Sequence, residues 1–346
     1  MRFRYYFMVL AVSMVSIAMP SLSSDEGSAD RQFVIAIHGG GGVRPQDEMS
    51  PELDAAYRSA LQESLSAGYE VLSKGGDSVS AVEAAIRVME DSSLFNAGKG
   101  ASFNRDGINQ LDASIMDGRT SNAGAVGVVQ RVRNPITLAR RIMENSPHVM
   151  MADAGALEFA KSQGLEIVAP HYFYTERKWD SLQRRLQQGT EYGKRPENTA
   201  SVDNQTDYAA FGTVGAVAMD KNGDLAAGTS TGGREGKMHG RIGDSPIIGA
   251  GTYANNATLA VSSTGLGEYV IRVVATKTMS DLMEYKGLPV EEAARTVIQK
   301  MADMGGSISV VAVDKDGNVA MPYSGNGMFR GYVREDKKFI VRIYED

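Results

Sequence analysis

Gly212-Thr213-Val214-Gly215-Ala216-Val217-Ala218 reads as the start of a strand, placed directly after a polar segment, Gln188 to Ala210, that has no apolar periodicity. Such a segment lacks the apolar surface to join a packed layer, so it is expected to be an exposed linker that tolerates a chain break. Downstream, Val214 to Ala227 reads strand, turn, strand around Asp220-Lys221-Asn222-Gly223-Asp224. Val310 to Met321 repeats the arrangement around Asp314-Lys315-Asp316-Gly317-Asn318, and two hairpins are predicted. Neither turn has the spacing of a calcium-binding EF-hand, which places glycine sixth and glutamate twelfth, because here glycine is fourth.

Upstream, Phe33-Val34-Ile35-Ala36-Ile37 is a short apolar run that stops at His38-Gly39-Gly40-Gly41-Gly42, as a buried strand ending in a tight loop would. Leu53, Tyr57, Leu61, Leu65, Tyr69 and Leu72 then recur at helical spacing after Ser50-Pro51, and Gly75-Gly76 ends the pattern. A second helix is predicted from about Ser80, with Ser80 and Glu83 at capping-box spacing and Val82, Ile86 and Met89 on one face, ending near Asp91. Phe95-Asn96-Ala97-Gly98-Lys99-Gly100 and Leu111-Asp112-Ala113-Ser114 read as a polar, glycine-punctuated stretch before the strand Ala125 to Val129. Helical pieces continue to about Leu186, and two more helices are predicted over Glu268 to Tyr285 and Pro289 to Met304. Strands, then helices, then strands imply an α+β fold of sheet layers covered by helices.

The 346 residues are 42% hydrophobic and 23% charged, enough apolar material for a sizeable core without disordered or collagen-like bias. A net charge of −6, with basic residues spread along the chain, leaves no electrostatic footprint for a nucleic-acid backbone. With no cysteine there is no disulfide, thiol nucleophile or thiolate metal site. The N-terminus reads as an export signal: Arg2 and Arg4, an apolar stretch from Tyr5 to Met19, and small residues at Ser21-Leu22-Ser23, with cleavage expected after Ser23. That stretch is fifteen residues interrupted by Ser13 and Ser16, short of a membrane span, which needs about 20. A periplasmic or secreted protein without a stable membrane anchor is therefore expected.

Taken alone, Thr213 is an ordinary strand threonine, since β-branched residues suit strands. The blocks that follow alter that reading: Thr229-Ser230-Thr231-Gly232-Gly233, Gly240-Arg241-Ile242-Gly243-Asp244-Ser245-Pro246, Gly249-Ala250-Gly251-Thr252-Tyr253-Ala254 and Ser263-Thr264-Gly265-Leu266-Gly267-Glu268. Glycine-flanked hydroxyls and one Arg/Asp pair thus recur at predicted strand ends. Together with His38-Gly39-Gly40, Asn96-Ala97-Gly98, Asp112-Ala113-Ser114-Ile115-Met116-Asp117-Gly118 and Gly327-Met328, they make the sequence similar to the plant-type asparaginase and isoaspartyl peptidase family of N-terminal-nucleophile hydrolases. The likeness spans nearly all of the chain beyond the export signal.

This resemblance implies a four-layer αββα sandwich and self-cleavage between Gly212 and Thr213. The products would be an α subunit of residues 24–212 and a β subunit of residues 213–346, assembled as a dimer of αβ heterodimers. It further implies Thr213 as nucleophile, Thr231 as the hydroxyl that tunes it, and Thr264 with Gly265 as the oxyanion hole. Arg241 and Asp244 would hold the α-carboxylate and α-amine of an aspartyl substrate, with Gly233 and Gly267 admitting it close to the backbone. No cofactor is implied for catalysis. A structural sodium would be held by the backbone carbonyls of Met89, Glu90, Ser92, Phe95, Ala97 and Lys99. The chemistry suits residue 213: a hydroxyl needs a base, and cleavage creates an α-amine on the same residue that titrates near about 7.7 to 8.0. His38 is expected to be structural, since this mechanism needs no imidazole. The implied substrates are β-aspartyl dipeptides and asparagine. A glycosylasparaginase-like enzyme is disfavoured because Gly212 stands where that branch has aspartate. A threonine protease of the same fold, and an exported binding protein that keeps the fold but never cleaves, are the competing readings. Two departures from the family pattern, Gly305-Gly306-Ser307-Ile308-Ser309 and Ser324-Gly325-Asn326, bear on local packing and substrate preference.

Overall fold

The computed structural model describes residues 32–187 and 212–344, with Met1; the predicted export signal from Arg2 to Ser23 and the Gln188 to Ala210 linker lie outside the described residues. The first half contains β1 (Val34–Gly40), α1 (Pro51–Ser73), α2 (Ser78–Asp91), β2 (Leu111–Asp117), β3 (Ala123–Val129), α3 (Pro135–Asn145), β4 (Met150–Ala152), α4 (Asp153–Ser162) and α5 (Glu176–Gln187). The second contains β5 (Val214–Met219), β6 (Leu225–Thr231), β7 (Thr252–Ala254), β8 (Leu259–Gly265), α6 (Gly267–Val273), α7 (Ala275–Lys286), α8 (Val290–Asp303), β9 (Ile308–Asp314), β10 (Val319–Ala320), β11 (Phe329–Arg334) and β12 (Ile340–Arg342).

Three apolar clusters stack these elements into four layers. In the first, Leu61 and Leu65 of α1, Val82 and Ile86 of α2 and Ile136 of α3 pack on Ile35, Ile37, Ala216 and Ala218 from one face of a sheet. The opposite face of that sheet, with Val34, Ala36, Val217 and Ala227, meets Ala260, Val311 and Val313 of a second sheet. That sheet's far side, including Val261, Val310 and Ala312, is covered by Val270, Met279, Val290 and Val297 from α6, α7 and α8. Alternation along each strand thus feeds two apolar interfaces at once, and the strands read as near-continuous apolar runs. The result is the expected αββα sandwich.

The larger sheet has the order β12-β11-β1-β5-β6-β2-β3-β4 and the smaller one β10-β9-β8-β7. β5, which begins beside Thr213, is central, flanked by β1 and β6 in antiparallel register. Both predicted hairpins form, β5 with β6 and β9 with β10. Their turn aspartates hold backbone: Asp220 Oδ1 accepts from Asn222 and Asp224 N-H groups at 2.9 and 3.1 Å, and Asp314 Oδ1 from Asp316 and Asn318 at 2.9 and 2.8 Å.

Several boundaries differ from expectation. β1 continues through His38 to Gly40 because β11 pairs with it that far, across an irregularity between His38 and Gly40. The second helix starts at Ser78, capped by Asp77, whose Oδ1 accepts the Ser80 N-H at 2.7 Å. Glu83 does not close a capping box; it accepts from Thr137 and Arg140 of α3. The helix predicted over Glu268 to Tyr285 is two, broken at Val274, which takes a left-handed φ of 48°. Leu111 to Ser114, read as part of a polar stretch, opens an inner strand, β2, because tertiary pairing with β3 and β6 overrides its mixed composition. Short β4 and the edge strand β12 carry too few residues for a periodic signal.

Candidate active site

The register of β5 against β6 builds the centre of the site. Val214 pairs with Ser230, so one residue further along Thr213 faces Thr231, and their hydroxyls lie 3.2 Å apart. Thr213 is 7% exposed and Thr231 2%. Thr231 Oγ1 also reaches the Gly212 carbonyl at 3.1 Å and accepts the Gly233 N-H at 2.9 Å. Asn96, from the loop after α2, donates to the Gly212 and Gly233 carbonyls at 2.8 and 2.7 Å, while its Oδ1 accepts the Ser102 N-H at 2.7 Å. In the sequence Asn96 stands out only as part of a motif; its contact with residue 212 depends on a fold that brings together residues 116 positions apart. The β1 loop closes the other side. A Cβ on Gly40, whose φ is +115°, would sit 3.0 Å from Gly212 Cα and 3.2 Å from Thr213 N, so only glycine lets the loop lie against that bond.

The smaller sheet supplies the next residues. Thr264, at the end of β8, accepts the Gly41 N-H at 3.3 Å, tying it to the same glycine loop. Gly265 pairs with Ile308 of β9, and a Cβ there would collide with the Ser307 carbonyl at 2.3 Å. Ile308 itself is buried in the outer apolar layer, so its side chain is absorbed by the core.

Beneath the site lies a buried polar chain that the sequence did not announce. His38 Nε2 meets Ser262 Oγ at 2.9 Å, Ser262 meets Thr229 at 2.7 Å, and Thr252 bonds both Thr229 and Ser114. A Cβ on Gly215 would fall 1.9 Å from Ser262 Oγ, which explains the second glycine of the Gly-Thr-Val-Gly junction. Burial lowers His38 to a pKa of about 3, against a smaller opposing contribution from the Thr213 backbone, so its imidazole is neutral. His38 is thus held in place by Ser262 within this buried chain.

Arg241 and Asp244 come from the long connection between β6 and β7. Both face Gly267: a Cβ on that residue would meet Arg241 Nη2 and Asp244 Oδ1 at 2.8 Å each. Arg241 bonds Glu268 at 2.9 Å, and Ser263 donates to Asp244 Oδ2 at 3.1 Å. Burial raises Asp244 to about 6, partly offset by the Arg241 charge and by hydrogen bonds. Glu268 is pushed up by burial too, but the Arg241 guanidinium, a backbone hydrogen bond and the Arg234 charge together outweigh it and its pKa is lowered overall. Thr213, Thr231, Gly233, Arg241, Asp244, Gly265 and Gly267 line one cleft, joined by Arg234 and Glu268, which no sequence motif singled out as site residues. Thr264 stands behind Gly265, buried at 1% exposure.

Of the six residues of the expected sodium loop, Met89 and Glu90 belong to the last turn of α2 and the other four to the segment after it. A Cβ on Gly98 would meet the Glu90 carbonyl oxygen at 2.2 Å, and one on Gly100 would meet the Phe95 and Ser93 carbonyl oxygens at 2.1 and 2.9 Å. Carbonyl oxygens crowding two glycines form a cradle that suits a hard cation. Within the same set, Met89 and Ala97 carbonyls accept the Ser92 and Gly100 N-H groups at 3.3 and 3.1 Å. Among the described residues no cluster of His, Asp or Glu has the arrangement of a metal site, and no helix is long and apolar enough to cross a membrane.

Comparison with known proteins fits this geometry. The chain is 46% identical over 304 residues to an isoaspartyl peptidase of Salmonella typhimurium, covering 86% of this chain and 94% of that one. It is 45% identical over 300 residues to an isoaspartyl peptidase of Escherichia coli, covering 86% and 92%, and 37% identical over 306 residues to a plant-type L-asparaginase of Pyrococcus furiosus, covering 88% and 97%. A family model described as "Asparaginase" matches residues 31–343, and the chain belongs to that family of hydrolases.

Proposed function

We propose that this chain cuts itself between Gly212 and Thr213 and then hydrolyses β-aspartyl dipeptides and asparagine with Thr213 as nucleophile. The single observation that carries the proposal is the convergence on Thr231 Oγ1 of the Thr213 hydroxyl at 3.2 Å and the Gly212 carbonyl at 3.1 Å. In the precursor the Thr213 hydroxyl attacks the Gly212 carbonyl carbon, the peptide C-N bond breaks, and an ester forms. Water then cleaves the ester, giving a Gly212 carboxylate and a free amine on Thr213. The names of the relatives, isoaspartyl peptidase and plant-type L-asparaginase, support the substrate class.

In the cleaved enzyme the Thr213 amine takes the proton of its own hydroxyl as the oxygen attacks the side-chain acyl carbon of the substrate. Thr264 Oγ1 and the Gly265 N-H stabilise the oxyanion; losing one such donor costs about 2.7 to 4 kcal/mol of barrier. The amine returns the proton to the leaving nitrogen, and water completes the cycle. Arg241 binds the substrate α-carboxylate through its planar fork. Asp244 binds the α-amine, and Gly233 and Gly267 leave room for the substrate. A sodium ion held by the carbonyls of Met89, Glu90, Ser92, Phe95, Ala97 and Lys99 would fix the loop that carries Asn96; it has no part in bond making.

The same reading makes the enzyme exported, with the segment through Ser23 removed, and assembled as a dimer of αβ heterodimers. The test is hydrolysis of β-aspartyl-leucine, asparagine and a glycosylated asparagine by purified protein. Activity on the first two supports the proposal; activity confined to the third replaces it with a glycosylasparaginase-like function. Arg241→Ala should raise KM for β-aspartyl-leucine sharply while two chains still appear on a denaturing gel; unchanged kinetics would remove Arg241 from substrate binding.

A further inference from the structure

The inward face of α5 carries charge as well as hydrocarbon. Lys178, Leu182 and Arg185 follow one another at helical spacing and are all buried. Lys178 is 5% exposed, and its Nζ donates to Ser102 Oγ at 3.0 Å. Burial lowers its pKa to about 8, against the attraction of the buried Glu235 carboxylate. A methionine would fill the same space without the cost of desolvating an ammonium group, so packing alone does not call for a lysine here.

The Ser102 contact leads to the bond proposed to be cut. Ser102 N-H donates to Asn96 Oδ1 at 2.7 Å, and Asn96 Nδ2 donates to the Gly212 and Gly233 carbonyls at 2.8 and 2.7 Å. A carboxamide is planar, so the group that holds its oxygen also aims its two N-H donors. Ser102 is therefore the fixed point from which Asn96 reaches residue 212, and Lys178 holds Ser102 from α5. The same helix makes a second tie three residues on: Ser181 donates to Glu235 at 2.6 Å, two residues after Gly233. Thus α5 secures both loops that Asn96 bridges. Lys178, Asn96 and Gly212 also line one cavity, while Gly212 borders the Thr213 cleft as well.

We infer that Lys178 is a positioning residue for the self-cleavage proposed above, on which this inference rests. Its ammonium holds Ser102, Ser102 orients the Asn96 amide, and the amide fixes the Gly212 carbonyl for attack by Thr213.

The experiment follows the uncut band on a denaturing gel after synthesis of wild type, Lys178→Met, Lys178→Arg, Ser102→Ala, Asn96→Ala and the double variant carrying Lys178→Met and Asn96→Ala. In Lys178→Met and in Ser102→Ala the precursor should persist about threefold to tenfold longer, since a small misplacement of a positioning group slows a reaction. Lys178→Arg, which keeps a donor to Ser102, should restore part of the rate. The double variant should persist no longer than Asn96→Ala alone, because both changes act through one amide. Ser102→Ala leaves the lysine in place and so reads the contact independently of how Lys178→Met folds. A wild-type rate in Ser102→Ala or in folded Lys178→Met would overturn the inference and leave self-cleavage intact. Slowing by Lys178→Met that multiplies in full with that of Asn96→Ala would do the same. Wild type that stays a single chain would instead remove the proposed self-cleavage, and this inference with it.

Discussion

Thr213 and Thr231 present their hydroxyls to each other at 3.2 Å across the β5–β6 ladder. Because Thr231 also touches the Gly212 carbonyl at 3.1 Å, one hydroxyl addresses both the nucleophile and the bond it is proposed to cut. Thr231→Val keeps the β-branched shape and removes the oxygen. It should slow self-cleavage and lower kcat about 100-fold, with KM little changed, as for loss of a group that assists proton transfer. Steady-state kinetics on β-aspartyl-leucine check this, and an unchanged kcat would relegate Thr231 to packing.

Asn96 holds the Gly212 carbonyl at 2.8 Å and the Gly233 carbonyl at 2.7 Å. Asn96→Ala removes both bonds at about 1 kcal/mol each, so the precursor should persist at least about tenfold longer. A time course of the uncut band on a denaturing gel after synthesis measures it. Cleavage at the wild-type rate would show that Asn96 does not position the bond.

Two ionisations should shape activity on the acid side. Burial places Asp244 at about 6, and it must be charged to attract an ammonium group. The Thr213 amine, near about 7.7 to 8.0 in model peptides, must be neutral to act as a base. A plot of log kcat/KM against pH should therefore rise with slope 2 below about pH 6 and slope 1 from there to about pH 8. In Asp244→Asn the residual activity should rise with slope 1 throughout. Slope 1 in wild type below pH 6 would contradict the role given to Asp244.

Burial of His38 makes stability depend on pH. An unfolded histidine titrates near about 6.5, while burial takes the folded one down to about 3. Between these values the unfolded chain binds a proton that the folded one refuses, so stability is complete above pH 6.5 and falls as the pH drops towards 3. His38→Gln, which can still meet Ser262, should lose less stability over that range in urea denaturation at a series of pH values. Equal losses in both proteins would mean that His38 does not titrate as described.

Much of this was legible in the chain itself. Long apolar periodicities over α1 and α8 and the two aspartate-glycine turns led directly to helices and hairpins, since each signal is local. Leu111 to Ser114 did not read as a strand, because Asp112 and Ser114 are polar yet buried: Asp112 Oδ1 accepts the Val128 N-H at 2.8 Å, and Ser114 bonds the Ser245 carbonyl at 2.6 Å. Polar groups satisfied by distant partners look like loop residues in a sequence. The same reason hid the His38–Ser262–Thr229 chain and the reach of Asn96. Arg234 and Glu268 carry no periodic signal either, and only the folded cleft brings them together with Thr213.

The most direct measurement is the N-terminal sequence of the smaller chain in active enzyme, alongside a denaturing gel of Thr213→Ala. The account predicts that the smaller chain begins Thr213-Val214-Gly215 and that Thr213→Ala runs as one uncut band without hydrolytic activity. A different first residue in active material, or full activity in the uncut variant, would contradict it.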